Sequence, residues 1–533
     1  MFPLGGNAVP APRTPRRTPG GPMSHVPVVI AGGGTVGLAT AVFLGHHGVP
    51  SLVVERRPAP SEHPRALGIS PRTLEFFHEV GLGREMAAAA VRSAELWRAE
   101  ARTVAEIDRT PAPSGRAAPP AASAVSPEVP HGHYPQNRID AVLLPAARER
   151  GATVEFGVAV TDVAQDADAV TVTLSDGRVV TADHLIGADG IRGTVRDALG
   201  VTTTGPGEIG DVTMNILFDA DLVGAFGTMP VMTRITHPDA PGILLAVGER
   251  RWVLHVVFPE PEPSPERCAR AVRTAIGADI PVEVVSVLPW RAIVRMADTF
   301  RRGRAFLVGD AARAVSPLGA FGLNTGLADA HNLAWKLAMV HSGQAGDRLL
   351  DSYHDERHAV AQLVTRQALL RWHDPRLHWD PAAVAERRAV GAWNASVVVM
   401  GHRYASSAVI DPVVRVPSTE DVEACFDAAP GSRVPHRVLG GADVSTVYLP
   451  RSRFAVLTGP AGDDWCAAAG RTAAALGTEV RAVKLDAPTA ASMGLQPDGV
   501  LLLRPDAFIA WRSRGPADTA RLTEVLAAVT GRG

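Results

Sequence analysis

The feature that most constrains the fold is near the N-terminus, where the apolar run Val28-Val29-Ile30 leads into Gly32-x-Gly34-x-x-Gly37. Residues 38–48 then read as a helix, and 51–54 return to an apolar strand ending on Glu55. A strand, a glycine turn, a helix and a second strand form a right-handed βαβ crossover, which commits the chain to an α/β fold with a parallel sheet. Gly32 permits the tight turn, Gly34 lets a pyrophosphate approach the backbone, and Gly37 allows close packing of helix on strand. Thr35 and Val36 complete the loop, and the helix N-terminus behind it supplies partial positive charge. Glu55 can accept from both ribose hydroxyls and disfavours a 2′-phosphate, so the held dinucleotide is expected to be FAD or NAD rather than NADP. Arg56 follows it and is assigned to the same cofactor site.

A second literal match, Gly205-Pro206-Gly207-Glu208-Ile209-Gly210, follows a helix-like segment and precedes a strand. It lacks the helix N-terminus that phosphate binding needs and is expected to be a turn. With one dinucleotide fingerprint, a nicotinamide has no domain of its own.

The 533 residues, 46% hydrophobic and 20% charged, suffice for a large core and more than one domain. A formal net charge of −2 gives no footprint for nucleic acid or an anionic membrane surface, so neither is an expected partner. No stretch of about twenty apolar residues runs uninterrupted, which argues against a transmembrane helix. Cys268, Cys425 and Cys466 are too scattered for a disulfide framework or a zinc site, and reduced thiols point to the cytoplasm. Residues 1–23, rich in Pro, Gly and Arg, are expected to be a disordered tail, with Met23 a candidate start. Arg16-Arg17 imitates a twin-arginine export signal, but the apolar run behind it carries the glycine fingerprint.

Residues 24–410 are expected to interleave a nucleotide-binding domain with a substrate domain, whose antiparallel sheet lies mainly within 205–300. Helices are expected over 72–80, 139–150 and 324–340, a hairpin over 170–180, and an irregular excursion over 109–129. A linker at 411–429 leads to a further α/β module over 430–533.

Two more motifs follow apolar strands. One is Leu185-Ile186-Gly187-Ala188-Asp189-Gly190, leading to Gly193 and Arg196; the other is Val308-Gly309-Asp310, followed by Pro317-Leu318-Gly319-Ala320-Phe321-Gly322-Leu323-Asn324. Each aspartate alone could simply cap a helix. The ordered set resembles the class A flavoprotein monooxygenases, the aromatic hydroxylases related to para-hydroxybenzoate hydroxylase and phenol hydroxylase. The resemblance covers most of residues 25–404.

It implies a Rossmann-like FAD-binding domain, an interleaved β-sheet substrate domain and a C-terminal thioredoxin-like domain. It implies FAD as cofactor, NADPH or NADH as transient electron donor, and hydroxylation of a phenolic or polyketide-like ring through a flavin C4a-hydroperoxide. Asp310, which looks buried, would bind the ribityl chain, and Asp189-Gly190 would serve both flavin and nicotinamide. Arg65 resembles the pyrophosphate-contacting arginine, and Gln136 a flavin-side glutamine. Pro317 resembles the proline whose carbonyl lies near the flavin peroxide; Gly319 and Gly322 shape the turn, and Leu323-Asn324 resemble the backbone pair at the flavin pyrimidine. A helix starting at Asn324 would stabilise the reduced, anionic ring. Gly193 stands where the family usually has Ser, and Arg313 where it often has His, so the roles of both positions are open.

The segments 430–436 and 501–512 resemble the thioredoxin-like tail domain of larger hydroxylases. Cys466 stands alone there, so a structural or subunit-contact role is expected rather than thiol exchange. Segments 214–218 and 401–407 lean toward the aromatic-polyketide tailoring branch, and so toward antibiotic biosynthesis. The expected partners are an aromatic small molecule and O2, in a monomer or homodimer. No catalytic base is assigned: His402, Arg234 and Asn215 could reach substrate or be structural. The alternatives are Baeyer–Villiger oxidation of a ketone and a non-catalytic flavin-binding regulator; a flavin halogenase lacks its Trp-x-Trp-x-Ile-Pro run here.

Overall fold

The computed structural model describes residues 24–63, 66–91, 98–109, 124–258, 263–439 and 444–533. The expected tail over 1–23, Arg65 and most of the expected excursion over 109–129 lie outside the described residues. The chain opens with β1 (Ser24–Ala31), α1 (Thr35–His46) and β2 (Ser51–Glu55). Next come α2 (Pro71–Glu79), β3 (Arg98–Ala101) and α3 (Gln136–Glu149). Strands β4 (Thr153–Phe156), β5 (Val160–Gln165), β6 (Val170–Leu174) and β7 (Val179–Gly187) follow. The middle of the chain supplies β8 (Thr203–Asp219), β9 (Met232–Ile235), β10 (Gly242–Ala246), β11 (Arg251–Val257), α4 (Pro265–Ile276) and β12 (Glu283–Ala297). It returns through β13 (Arg301–Arg302), β14 (Ala305–Leu307) and β15 (Arg313–Ala314) to the long helices α5 (Phe321–His341) and α6 (Asp351–His373).

The first sheet runs β13-β14-β7-β1-β2-β4, with the β5–β6 hairpin added at β7. Its β14, β7, β1, β2 and β4 are parallel, so the loops that follow β1, β7 and β14 meet at one edge. Helix α1 lies buried between this sheet and α5, with Leu38, Val42 and Leu44 wholly excluded from water. Each such side chain contributes about 1.5–3 kcal/mol of transfer free energy.

The second sheet runs β15-β12-β8-β11-β10-β9-β3, all antiparallel except β9–β3. Met214, Ile216, Phe218, Leu254 and Val256 pack one face onto α4. That helix is delimited by Ser264, whose hydroxyl accepts from the Arg267 N–H, by Pro265 in its first turn, and by Gly277 at φ 73°. The expected turn at 205–210 proves to be part of the 17-residue β8. Gly205 approaches β12 so closely that a Cβ would stand 2.5 Å from the Val294 carbonyl oxygen, and one at Gly210 would meet the Trp372 ring. The glycines therefore admit a bulged strand that bends past its neighbours.

The C-terminal sheet runs β17-β16-β18-β19, from β16 (Phe454–Thr458), β17 (Val480–Lys484), β18 (Val500–Leu503) and β19 (Ile509–Ser513). Only β16–β17 is parallel, and helices α7 (Asp463–Leu476) and α8 (Thr519–Val529) accompany the sheet. This is the topology of the expected thioredoxin-like unit. Its Cys466 is half-buried, and neither it nor the buried Cys268 and Cys425 forms a disulfide among the described residues. Trp335, Met339 and Leu349 of the first module share a core with Phe454, Val456 and Trp465 of this one. Among the described residues, no helix is long and apolar enough to cross a membrane.

Candidate active site

The loop after β1 is shaped as its glycines require. Gly32 has φ 109°, and a Cβ there would lie 2.3 Å from the Ala188 oxygen; one at Gly37 would lie 1.9 Å from the Gly32 oxygen. Gly34 differs, since none of the described residues lies within 4 Å of where its Cβ would stand. It precedes α1, whose N-terminus has no side-chain cap and no acidic residue in its first turn. Val36 projects between Gly309 and Gly326, so α1, the 309–313 loop and α5 come into close contact. Thr35 donates to Asp140 of α3, whose carboxyl is pushed up to about 6 by burial despite that bond.

Glu55 accepts from the Gly33 N–H at 2.8 Å and from the Arg57 N–H at 3.0 Å. Burial alone would raise its carboxyl, but these donors hold it below the usual range. Its side-chain partner is Arg57, at 3.1 Å, and Arg56, assigned from sequence to the cofactor site, is exposed. Gln136 joins Arg57, Ser61, His63, Asn137 and Asp140 around a polar cleft beside this loop.

Asp189 accepts from the Val195 N–H at 3.0 Å through one oxygen, while its buried Oδ1 has no hydrogen-bond partner among the described residues. Burial raises its pKa. A Cβ at Gly193 would stand 2.6 Å from that Oδ1, so any side chain at this position would press directly on it. Gly190 has φ 78° and empty space over its α-carbon. Asp310, which looked buried from sequence, is exposed: β14 is three residues long, and the short 3-10 helix Gly309–Ala311 carries Asp310 out at the sheet edge.

The Pro317–Asn324 turn also differs in detail. Helix α5 begins at Phe321, three residues before the expected Asn324, because Gly319 at φ 104° and Ala320 at φ 53° complete the turn by then. Pro317 is exposed, and its carbonyl accepts from the Ala320 N–H. Gly322 and Leu323 lie in the first helical turn, which again has no side-chain cap and no acid. The Asn324 side chain faces inward, accepting from the Ser70 N–H and the Thr73 hydroxyl, both at 2.7 Å.

Arg313 now has a role. It pairs at 2.5 Å with buried Asp329 of α5, which also accepts from the Gly309 N–H and from Arg357 of α6 at 2.8 Å. This cluster fixes the Asp310 loop to both long helices. Sequence reasoning missed Asp329 and Arg357; the available signal was a run of polar residues within an otherwise apolar helix. Of the candidate substrate residues, Arg234 is exposed and pairs with Glu100. His402 is buried behind the first turns of α5, and Asn215 is buried on β8.

These buried histidines predict the acid response. Burial and Arg304 lower His184 from 6.5 to about 4, and burial and Arg357 lower His402 to about 3. The folded state resists protonating both, so their contribution is complete above the unfolded value of 6.5 and is lost as pH falls toward 4. Each can account for on the order of 3 kcal/mol. Asp140 works in the opposite sense, costing stability as pH rises from 3.8 to about 6. Urea midpoints at fixed ionic strength should fall steeply between pH 6.5 and 4; a flat profile there would contradict this ionic picture.

A family model described as an FAD binding domain matches residues 25–368, and one described as the C-terminal domain of aromatic-ring hydroxylases matches 427–533. The chain belongs to the FAD-binding aromatic-ring hydroxylases and is a flavin-dependent monooxygenase. Tetracenomycin B2 monooxygenase-dioxygenase of Streptomyces olivaceus is 39% identical over 549 residues, covering 95% of this chain and 99% of that protein. Aklavinone 12-hydroxylase of Streptomyces purpurascens is 36% identical over 552 residues, covering 94% and 98%. A crystal structure of aklavinone-11 hydroxylase with FAD and aklavinone superposes with a TM-score of 0.82 at 32% identity, covering 95% of this chain and 99% of that one.

The site suits that cofactor. Among the described residues, two helix N-termini without side-chain caps, free space over Gly34 and Gly190, and a buried aspartate oxygen without a partner provide donors, room and an acceptor along one sheet edge.

Proposed function

We propose that this chain places oxygen on a phenolic, polyketide-like polycyclic ring, with NADPH or NADH as electron donor. The supporting observation is the pair of uncapped helix N-termini, α1 and α5, at one edge of the parallel sheet. In this reading the first turn of α1 and Gly34 take the FAD pyrophosphate and Glu55 the adenosine ribose. Arg65 would assist at the pyrophosphate, and Gln136, Asp189 and Asp310 would take the rest of the chain toward the ring. FAD supplies acceptance of a hydride and activation of O2 for oxygen transfer.

The remaining roles belong to the protein. The first turn of α5, at Gly322, Leu323 and Asn324, directs free N–H donors and partial positive charge at the reduced ring, so no cationic side chain is needed. Asn324 holds that turn to the 68–73 segment through its own hydrogen bonds. The face of the second sheet opposite α4 forms the substrate wall, and its apolar residues Leu217 and Val253 keep water from the reacting region.

The test is NADH and NADPH oxidation by the yellow protein in air, with and without polycyclic phenols, using 18O2 and product NMR. Substrate-stimulated oxidation with labelled oxygen on a ring carbon is the expected result. An ester oxygen inserted beside a ketone would replace the reading with Baeyer–Villiger chemistry. Because two relatives are named monooxygenase-dioxygenases, counting one or two labels per product also sets the number of oxygens transferred. Bound FAD without any stimulated oxidation would leave a regulator.

A further inference from the structure

The face of the second sheet turned toward the nucleotide-binding module carries a paired donor and acceptor. Residues alternate along β8 and β11, so with Ile216 and Leu254 packed on α4, Asn215 and His255 point to the opposite face. Two contacts show where that face looks. His63, from the loop after β2, lies 2.8 Å from the Ser286 hydroxyl of β12, and Leu67 packs on Leu217 and Val253. Asn215 and His255 are direct partners across the β8–β11 ladder, so their side chains start about 5 Å apart.

The hydrogen-bonding sense of each group is set by a neighbour. Trp290 donates its indole N–H to Asn215 Oδ1 at 2.7 Å. An indole can only donate, so the Asn215 amide is oriented with its NH2 group as the remaining donor. Burial and nearby His63 lower His255 to about 4, so near neutral pH it is an uncharged ring with one acceptor nitrogen. Asn215 is 8% exposed and His255 half-buried, so a hydrogen bond made there is shielded from water.

We propose that Asn215 and His255 read one edge of the substrate: Asn215 donates to a ring carbonyl, and His255 accepts from a phenolic hydroxyl beside it. The ligand class is a polycyclic aromatic with a peri-related hydroxyl and carbonyl, and the inference rests on the hydroxylase reading above. Accepting from the hydroxyl also raises electron density on the ring, as oxygen transfer requires. Trp290 is a positioning residue that acts through Asn215.

The test is equilibrium binding to the FAD-loaded protein, read from perturbation of the flavin absorbance. The probes are 1,8-dihydroxyanthraquinone and its dimethyl ether, applied to the native chain, Asn215→Leu and His255→Phe. The native protein should prefer the dihydroxy probe about tenfold or more over the ether. His255→Phe should weaken the dihydroxy probe about ten- to hundredfold and erase that preference. Asn215→Leu should weaken both probes, whereas Trp290→Phe should weaken them less, with flavin content and melting temperature unchanged. Native protein that ignores O-methylation or fails to bind the dihydroxy probe overturns the proposal, as do variants that keep the native preference. If phenols still stimulate NAD(P)H oxidation in that case, this inference alone fails; if none does, the hydroxylase reading fails with it.

Discussion

Arg504→Ala is expected to cost about 3–5 kcal/mol of folding free energy and to loosen flavin binding, although residue 504 belongs to the C-terminal module. Its guanidinium is fully buried and holds Glu356 of α6 at 2.5 and 2.9 Å and Asp506 at 2.6 and 3.1 Å. Glu356 also takes Lys336 and Asn332 of α5, each at 2.8 Å. The Asp506 carbonyl accepts from Arg72, which pairs with Glu75 of α2, and Glu75 in turn holds Arg433. One buried ionic chain thus runs from the thioredoxin-like module through α5 and α6 to α2. Removing its central cation leaves two buried carboxylates short of charge, and α5 is the helix whose first turn is proposed to face the flavin. Arg504→Lys keeps the charge but loses the planar fork, so it should fall between the two. Urea unfolding and flavin retained through gel filtration provide the readout. A loss below about 1 kcal/mol with full flavin content would show that the module is only an appendage.

The second large effect separates two glycines of one motif. Gly37→Ala would set a methyl group 1.9 Å from the Gly32 oxygen, forcing α1 away from β1. Such overpacking against backbone is expected to cost about 1–3 kcal/mol or more, and the protein should be isolated colourless. Gly34→Ala has free space and φ −80°, so the apoprotein should unfold within about 0.5 kcal/mol of the native chain. Its methyl group nevertheless occupies the approach proposed for the pyrophosphate, and flavin affinity should fall at least about tenfold. Flavin titration of refolded apoprotein separates the two cases. Full flavin affinity in Gly34→Ala would remove the pyrophosphate from this loop.

The βαβ unit, the hairpin at β6–β7 and the motif loops were legible because each depends on residues a few positions apart. Where local reading missed, the deciding partner was remote. The 205–210 glycines resemble a turn until β12 pairs with them across the sheet. Helix α5 starts early because Ala320 adopts a left-handed conformation, which side-chain chemistry at Asn324 does not announce. Asp310 looks buried after an apolar strand, but the short 3-10 helix that follows the three-residue β14 exposes it.

By itself, the sequence determined the parallel sheet, the glycine turn with its acidic strand end, the order of the motif loops and the solitary Cys466. These follow from backbone freedom and side-chain periodicity, which act along the chain. Only the tertiary structure decided that Asp329 gives Arg313 its purpose and that Arg504 ties the C-terminal module to Glu356 of α6. It alone also set Asn215 beside His255. Such contacts join residues distant in the chain, 16 positions for Arg313–Asp329 and 148 for Arg504–Glu356, and their partners are chosen by strand register and helix packing, which no local stretch of sequence encodes.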